Sequence, residues 1–77
     1  MEVEYSKQAI GYLEKQTERQ STRIRVSINN LPVGDVRKLK GIDNGYRLRI
    51  GSVRILFERY GGKVYIVKID NRGDVYK

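Results

Sequence analysis

Arg47, Arg49 and Arg54 flank Gly51-Ser52 in a stretch where charged and apolar side chains alternate. Tyr46, Leu48 and Ile50 interleave with Arg47 and Arg49, and Val53, Ile55 and Phe57 interleave with Arg54, Leu56 and Glu58. A period of two marks strands with one buried face. A two-residue turn with Gly first joins the runs as a hairpin and fixes their register. Ile50 then faces Val53, Arg49 faces Arg54 and Leu48 faces Ile55. The apolar set takes one face and the three arginines take the other. Like charges directly opposed across a sheet are destabilising. A phosphate between them turns the repulsion into bidentate, charge-assisted bonds. Arginines splayed into water are the plainer explanation of the same pattern.

Arg72 and Tyr76 follow an apolar run over Lys63 to Ile69. A phenol titrates near pH 10 in isolation (about 10), and clustered guanidinium groups lower that value. A tyrosine so placed is a candidate general base in a chain without histidine. Packing is the plainer role for Tyr76, and Tyr5, Tyr12, Tyr46, Tyr60 and Tyr65 read as core and rim. The chain has no Cys and no His, which excludes disulfides, thiol nucleophiles, imidazole catalysis and Cys- or His-ligated metal. The tripeptide Arg72-Gly73-Asp74 lacks the secreted context of an integrin ligand. Asp70-Asn71-Arg72-Gly73-Asp74 lacks the downstream Glu of a calcium loop.

The charge supports an anionic partner. The 77 residues carry 16 Lys plus Arg against 9 Asp plus Glu, a net of +7. Residues 1–44 hold 8 basic and 6 acidic side chains, and residues 45–77 hold 8 and 3. The surplus therefore sits in the half that carries the arginines. The length suits one domain over 1–77 with a thin two-layer core. No apolar run approaches membrane-spanning length, and Met1-Glu2-Val3-Glu4-Tyr5 does not read as a signal peptide. A cytoplasmic protein is the expectation.

The elements that must position these residues are short. Val3-Glu4-Tyr5 is a strand candidate. Ser6 caps a helix over roughly 7–15 with Ala9, Ile10 and Leu13 on one face and Gly11 weakening it. Thr17 and Gln20 have capping-box spacing and start a second helix at about 18. Ile24, Ile28 and Leu31 form its apolar stripe, and Leu31-Pro32 ends it. Val36-Arg37-Lys38-Leu39 reads as a strand and Gly41 to Gly45 as a loop. Gly61-Gly62 is a second turn, Lys63 to Ile69 a central strand, and Asp70 to Asp74 a turn before Val75-Tyr76-Lys77. The resulting reading is an α+β domain, β-α-α-β-β-β, with an antiparallel meander sheet and a helical hairpin on one face.

Lys38-Leu39-Lys40-Gly41, Gly45-Tyr46-Arg47-Leu48-Arg49-Ile50-Gly51, Val53-Arg54-Ile55 and Ile69 to Tyr76, in this order and spacing, resemble the RelE/ParE toxin superfamily in its RelE-like branch. The resemblance covers essentially the whole chain. It implies the toxin of a toxin–antitoxin pair, a ribosome-dependent endoribonuclease that cleaves messenger RNA without a metal or other cofactor. The ribose 2′-hydroxyl attacks the adjacent phosphate, leaving a 2′,3′-cyclic phosphate and a free 5′-hydroxyl. The resemblance casts Tyr76 as general base and Arg54 as the phosphate-stabilising arginine. Arg47 and Arg49 hold the phosphate and tune the tyrosine, and Arg72 matches the arginine assigned as acid. A guanidinium is a poor acid, so Arg72 reads better as a charge stabiliser. Lys38 and Lys40 join the arginines as RNA contacts.

The same resemblance implies three partners, a cognate antitoxin, the ribosome and mRNA, and no membrane. The sequence departs from the family pattern in three places. Arginine stands at strand positions where some relatives have lysine, and Asn71 where many have histidine. The helix that follows in many relatives has no counterpart after Tyr76. Two alternatives share the fold: a ParE-like inhibitor of DNA gyrase, and a basic RNA-binding domain without catalysis. The joint presence of Arg54, Arg72 and Tyr76 weighs against the gyrase reading.

Overall fold

Ser6 and Thr17 open the two helices where the sequence predicts them. In a computed structural model that describes residues 1–71, α1 spans Lys7–Glu14 and α2 spans Glu18–Asn29. Arg72, Tyr76 and the closing Val75-Tyr76-Lys77 stretch lie outside the described residues. Ser6 Oγ accepts the Ala9 N–H at 3.1 Å, and Thr17 Oγ1 accepts the Gln20 N–H at 3.2 Å. Each cap satisfies a donor that the first helical turn leaves orphaned. α1 buries Ala9 and Leu13, and α2 buries Ile24 and Ile28, in both cases one turn apart. Ile10, expected on the buried face, is 42% exposed. It sits about 100° around the helix from Ala9, past the edge of so narrow a stripe.

Five strands follow the period-two pattern: β1 (Glu2–Tyr5), β2 (Asp35–Lys38), β3 (Gly45–Ile50), β4 (Val53–Tyr60) and β5 (Lys63–Asp70). They form one sheet in the order β1-β5-β4-β3-β2. The α+β class and the antiparallel meander β2 to β5 are as predicted. The meander has four strands where β-α-α-β-β-β allows three, and β1 joins it in parallel beside β5. Geometry requires this pairing. The helical hairpin carries the chain from β1 across one face to the far edge, and four alternating strands bring β5 back in the direction of β1.

The covered face holds the core. Leu48, Val53, Ile55, Phe57, Val64, Ile66 and Ile69 pack against Ala9, Leu13, Ile24 and Ile28. Full burial of such side chains is worth about 1.5–3 kcal/mol each before entropy is charged. Ile66 and Ile69 are both fully buried though three residues apart. A β-bulge reconciles them with the pleat: Phe57 pairs with Ile66, Leu56 pairs with Lys68, and Val67 is the extra residue. Beyond the end of β1, the cap and first turn of α1 take over its pairing with β5. Ser6 Oγ donates to the Val67 carbonyl at 2.7 Å. The Gln8 amide donates to the Ile69 carbonyl and accepts the Ile69 N–H, both at 2.8 Å.

The hairpin that carries the arginines has the predicted register, with Ile50 opposite Val53, Arg49 opposite Arg54 and Leu48 opposite Ile55. Gly51 has φ +59°, as a Gly-first turn requires. Gly45 is needed for space: a Cβ there would lie 2.6 Å from Ile42 Cγ2.

Candidate functional site

The face of the sheet away from the helices is organised in rows across the strands. One row runs Asp35, Arg49, Arg54, Asp70, and the next runs Arg37, Arg47, Leu56, Lys68. Register thus brings four arginines and a lysine together from strands β2 to β5. Two of the expected site arginines, Arg49 and Arg54, are directly opposed, and Arg47 lies one row away on the same face.

Asp35 organises the cluster. Its Oδ1 accepts from Arg47 Nη2 at 3.1 Å and its Oδ2 accepts from Arg49 Nε at 2.8 Å. Desolvation works to raise the Asp35 carboxyl. The Arg49 hydrogen bond and the charges of Arg49, Arg47 and Arg37 outweigh it and hold the group below its ordinary value. Arg47 is the buried member at 8% exposure, and its Nε has no hydrogen-bond partner among the described residues. Burial first, and then Arg49, Arg37 and Arg54, push its guanidinium below its ordinary value, against the pull of Asp35. An arginine nevertheless stays cationic at neutral pH. Asp35 and Asp70 are the two carboxylates in these rows, against four arginines and a lysine, so this end of the face is short of negative charge. It is chemically suited to an anion with several acceptor oxygens.

Lys38 and Lys40 are not part of this group. Lys38 has the opposite pleat from Arg37, and its Nζ donates to the carbonyls of Ile42 and Asp43 and lies 5.5 Å from the Tyr46 ring centre. It ties down the loop between β2 and β3. Lys40 is exposed in that loop, on the rim of a trough of about 220 Å³ with Leu39, Ile42 and Leu56. The trough borders the arginines through Leu56, the cross-strand neighbour of Arg47. Arg72 and Tyr76 lie outside the described residues.

Sequence reasoning missed Asp35 and Arg37. Their signal was available, since Asp35, Arg37 and Val36 alternate. Only the pairing of β2 with β3 shows that Asp35 stands opposite Arg49.

No family model matches the chain. A curated protein, Toxin RelE3 of Methanocaldococcus jannaschii, is 36% identical over 50 residues, 65% of this chain and 56% of that protein. The chain thus spans little more than half the length of that relative. Among solved structures, the RelB-RelE antitoxin–toxin complex of Methanococcus jannaschii superposes with a TM-score of 0.75 at 26% identity, over 95% of this chain and 94% of the other. The archaeal RelE-RelB complex of Pyrococcus horikoshii OT3 gives 0.71 at 26% identity, over 94% of each chain. The toxin–antitoxin complex RelBE2 of Mycobacterium tuberculosis gives 0.66 at 22% identity, over 92% of this chain and 96% of the other, a likeness of fold.

Proposed function

We propose that this chain, similar in sequence and fold to RelE toxins, is the toxin of a toxin–antitoxin pair that cleaves messenger RNA in the ribosomal A site. The observation that carries this reading is the arginine end of the open face, where Arg49 and Arg54 are opposed and Arg47 is buried beside them. Such a cluster is costly without a ligand and favourable around a phosphate.

In this reading the 2′-oxygen attacks phosphorus, the bond to the 5′-oxygen breaks, and a 2′,3′-cyclic phosphate remains. Arg47, Arg49 and Arg54 offset the charge that builds on the phosphorane oxygens. Tyr76 takes the proton from the 2′-hydroxyl, and Arg72 adds positive charge as the 5′-oxygen leaves and gains a proton. The leaving proton is assigned to solvent or to a group of the ribosome. The Leu39–Ile42–Leu56 trough offers an apolar surface to a base next to the bound phosphate. The +7 charge suits both RNA and an acidic antitoxin segment.

The test is to induce wild type and the Arg54→Ala, Arg72→Ala and Tyr76→Phe variants and map 5′ ends on a translated reporter mRNA. Cleavage within translated codons by wild type and not by the variants is the expected result. Growth arrest with intact mRNA would move the reading to gyrase inhibition. Neither effect would leave a basic binding domain.

A further inference from the structure

We propose that Asp35 is a positioning residue for the phosphate site, holding Arg47 and Arg49 in the alignment from which they act. The proposal rests on the reading above that this face handles RNA phosphate. Asp35 spends one oxygen on each arginine, Oδ1 on Arg47 Nη2 and Oδ2 on Arg49 Nε. It does so from an edge strand that carries Arg37 one pleat further on, so the anion is placed by the sheet register itself.

The arginines need such a brace for different reasons. Arg47 is nine-tenths buried, and its bond to Asp35 at Nη2 fixes the orientation of the guanidinium. Arg49 is half exposed and stands against Arg54, so without a partner it turns outward into water. By engaging Nε, Asp35 holds the plane of Arg49 and leaves its two terminal nitrogens for a ligand.

Charge alone argues the opposite role. Asp35 subtracts one unit from the positive field, so removing it should strengthen phosphate binding. Catalysis depends on where the donors point when charge develops, and a misplacement of about 1 Å can cost about 100-fold. The two roles therefore separate in kinetics. Asp35→Asn should leave the half-saturating ribosome concentration unchanged or lower while the cleavage rate constant falls by roughly 10- to 100-fold. Asp35→Glu keeps the charge and should restore most of the rate.

The experiment is single-turnover cleavage of ribosome-bound mRNA by wild type, Asp35→Asn and Asp35→Glu, with Glu4→Gln as control. The control breaks the Lys63–Glu4 pair at the other end of the same face and should change neither parameter. In parallel, the arginine Nε–H resonances report alignment without reference to activity. The Arg49 signal should be protected from solvent exchange in wild type and exposed in Asp35→Asn. An Asp35→Asn enzyme with a wild-type rate constant and a protected Arg49 signal would overturn the proposal. A variant that loses only affinity would also overturn it, since that marks a binding contact. Wild type that fails to cleave would remove the ribonuclease reading itself and, with it, any role for Asp35 in the reaction.

Discussion

The two ends of the open sheet face share β4 and β5 and treat charge in opposite ways. At the far end Lys63 shares the face with the acidic Glu2, Glu4 and Glu58. Glu4 lies 2.6 Å from Lys63 Nζ, and Glu58 accepts the Tyr60 hydroxyl at 3.0 Å. The hydrogen bonds raise both partners: Lys63 titrates above its ordinary value chiefly through Glu4, and Tyr60 chiefly through Glu58. At the near end Arg37, Arg47, Arg49 and Arg54 crowd together, and Asp35 serves two of them. A surface on which acids outnumber bases repels a phosphate. An under-neutralised one, with a buried cation at its centre, stays unfavourable until an anion arrives. The difference between the ends is the ground for proposing the arginine end as the site.

The comparison breaks most visibly at Arg54. Arg54→Ala should lower cleavage by on the order of 100- to 1,000-fold, the loss usual for a transition-state charge partner. Its fold should be retained, because the side chain lies outside the helix-covered core. Arg47→Met sharpens the point. It keeps the apolar stem, removes a buried cation, and should leave the melting temperature unchanged or higher. Cleavage should still fall by on the order of 100-fold. A drop in both would mean that Arg47 is structural.

Smaller effects test the frame around the site. Gln8→Ala removes both partners of the Ile69 backbone and should cost roughly 1–2 kcal/mol in chemical denaturation. The loss should fall on the bulged end of β5, read by hydrogen exchange at Val67 to Ile69. The pH dependence is smaller still. Asp35 titrates below its ordinary value, so its support is complete above about pH 4 and fades as pH falls through its folded-state value. The stability difference between wild type and Asp35→Asn should therefore hold above about pH 4 and narrow as the pH falls below it. A constant difference would place the effect elsewhere.

Local signals in the sequence carried the reading a long way. Ser6 and Thr17 cap through their own side chains, so their helices could be placed from residue type and spacing. The Gly51-Ser52 turn dictates the hairpin register, and with it the opposition of Arg49 and Arg54. What remained hidden depends on pairs distant in sequence. The parallel seat of β1 beside β5 follows from how the hairpin of helices crosses the sheet. The bulge at Val67 is visible only once Phe57 and Leu56 have found their partners on β5. Asp35 looks like an ordinary strand-end carboxylate until β2 docks on β3. Lys38 shares a basic run with Arg37 and Lys40, yet the pleat sends it to the loop and the Tyr46 ring.

The most direct measurement is cleavage of a defined mRNA on purified ribosomes by wild type and Arg49→Ala, with naked mRNA alongside. A single cut in the A-site codon with a 2′,3′-cyclic phosphate end is the expected result. That cut should be absent from naked RNA and reduced at least about 100-fold in the variant. Intact mRNA with wild type, or equal cutting by the variant, would contradict the claim that the arginine end of this sheet is a phosphate-cleaving site.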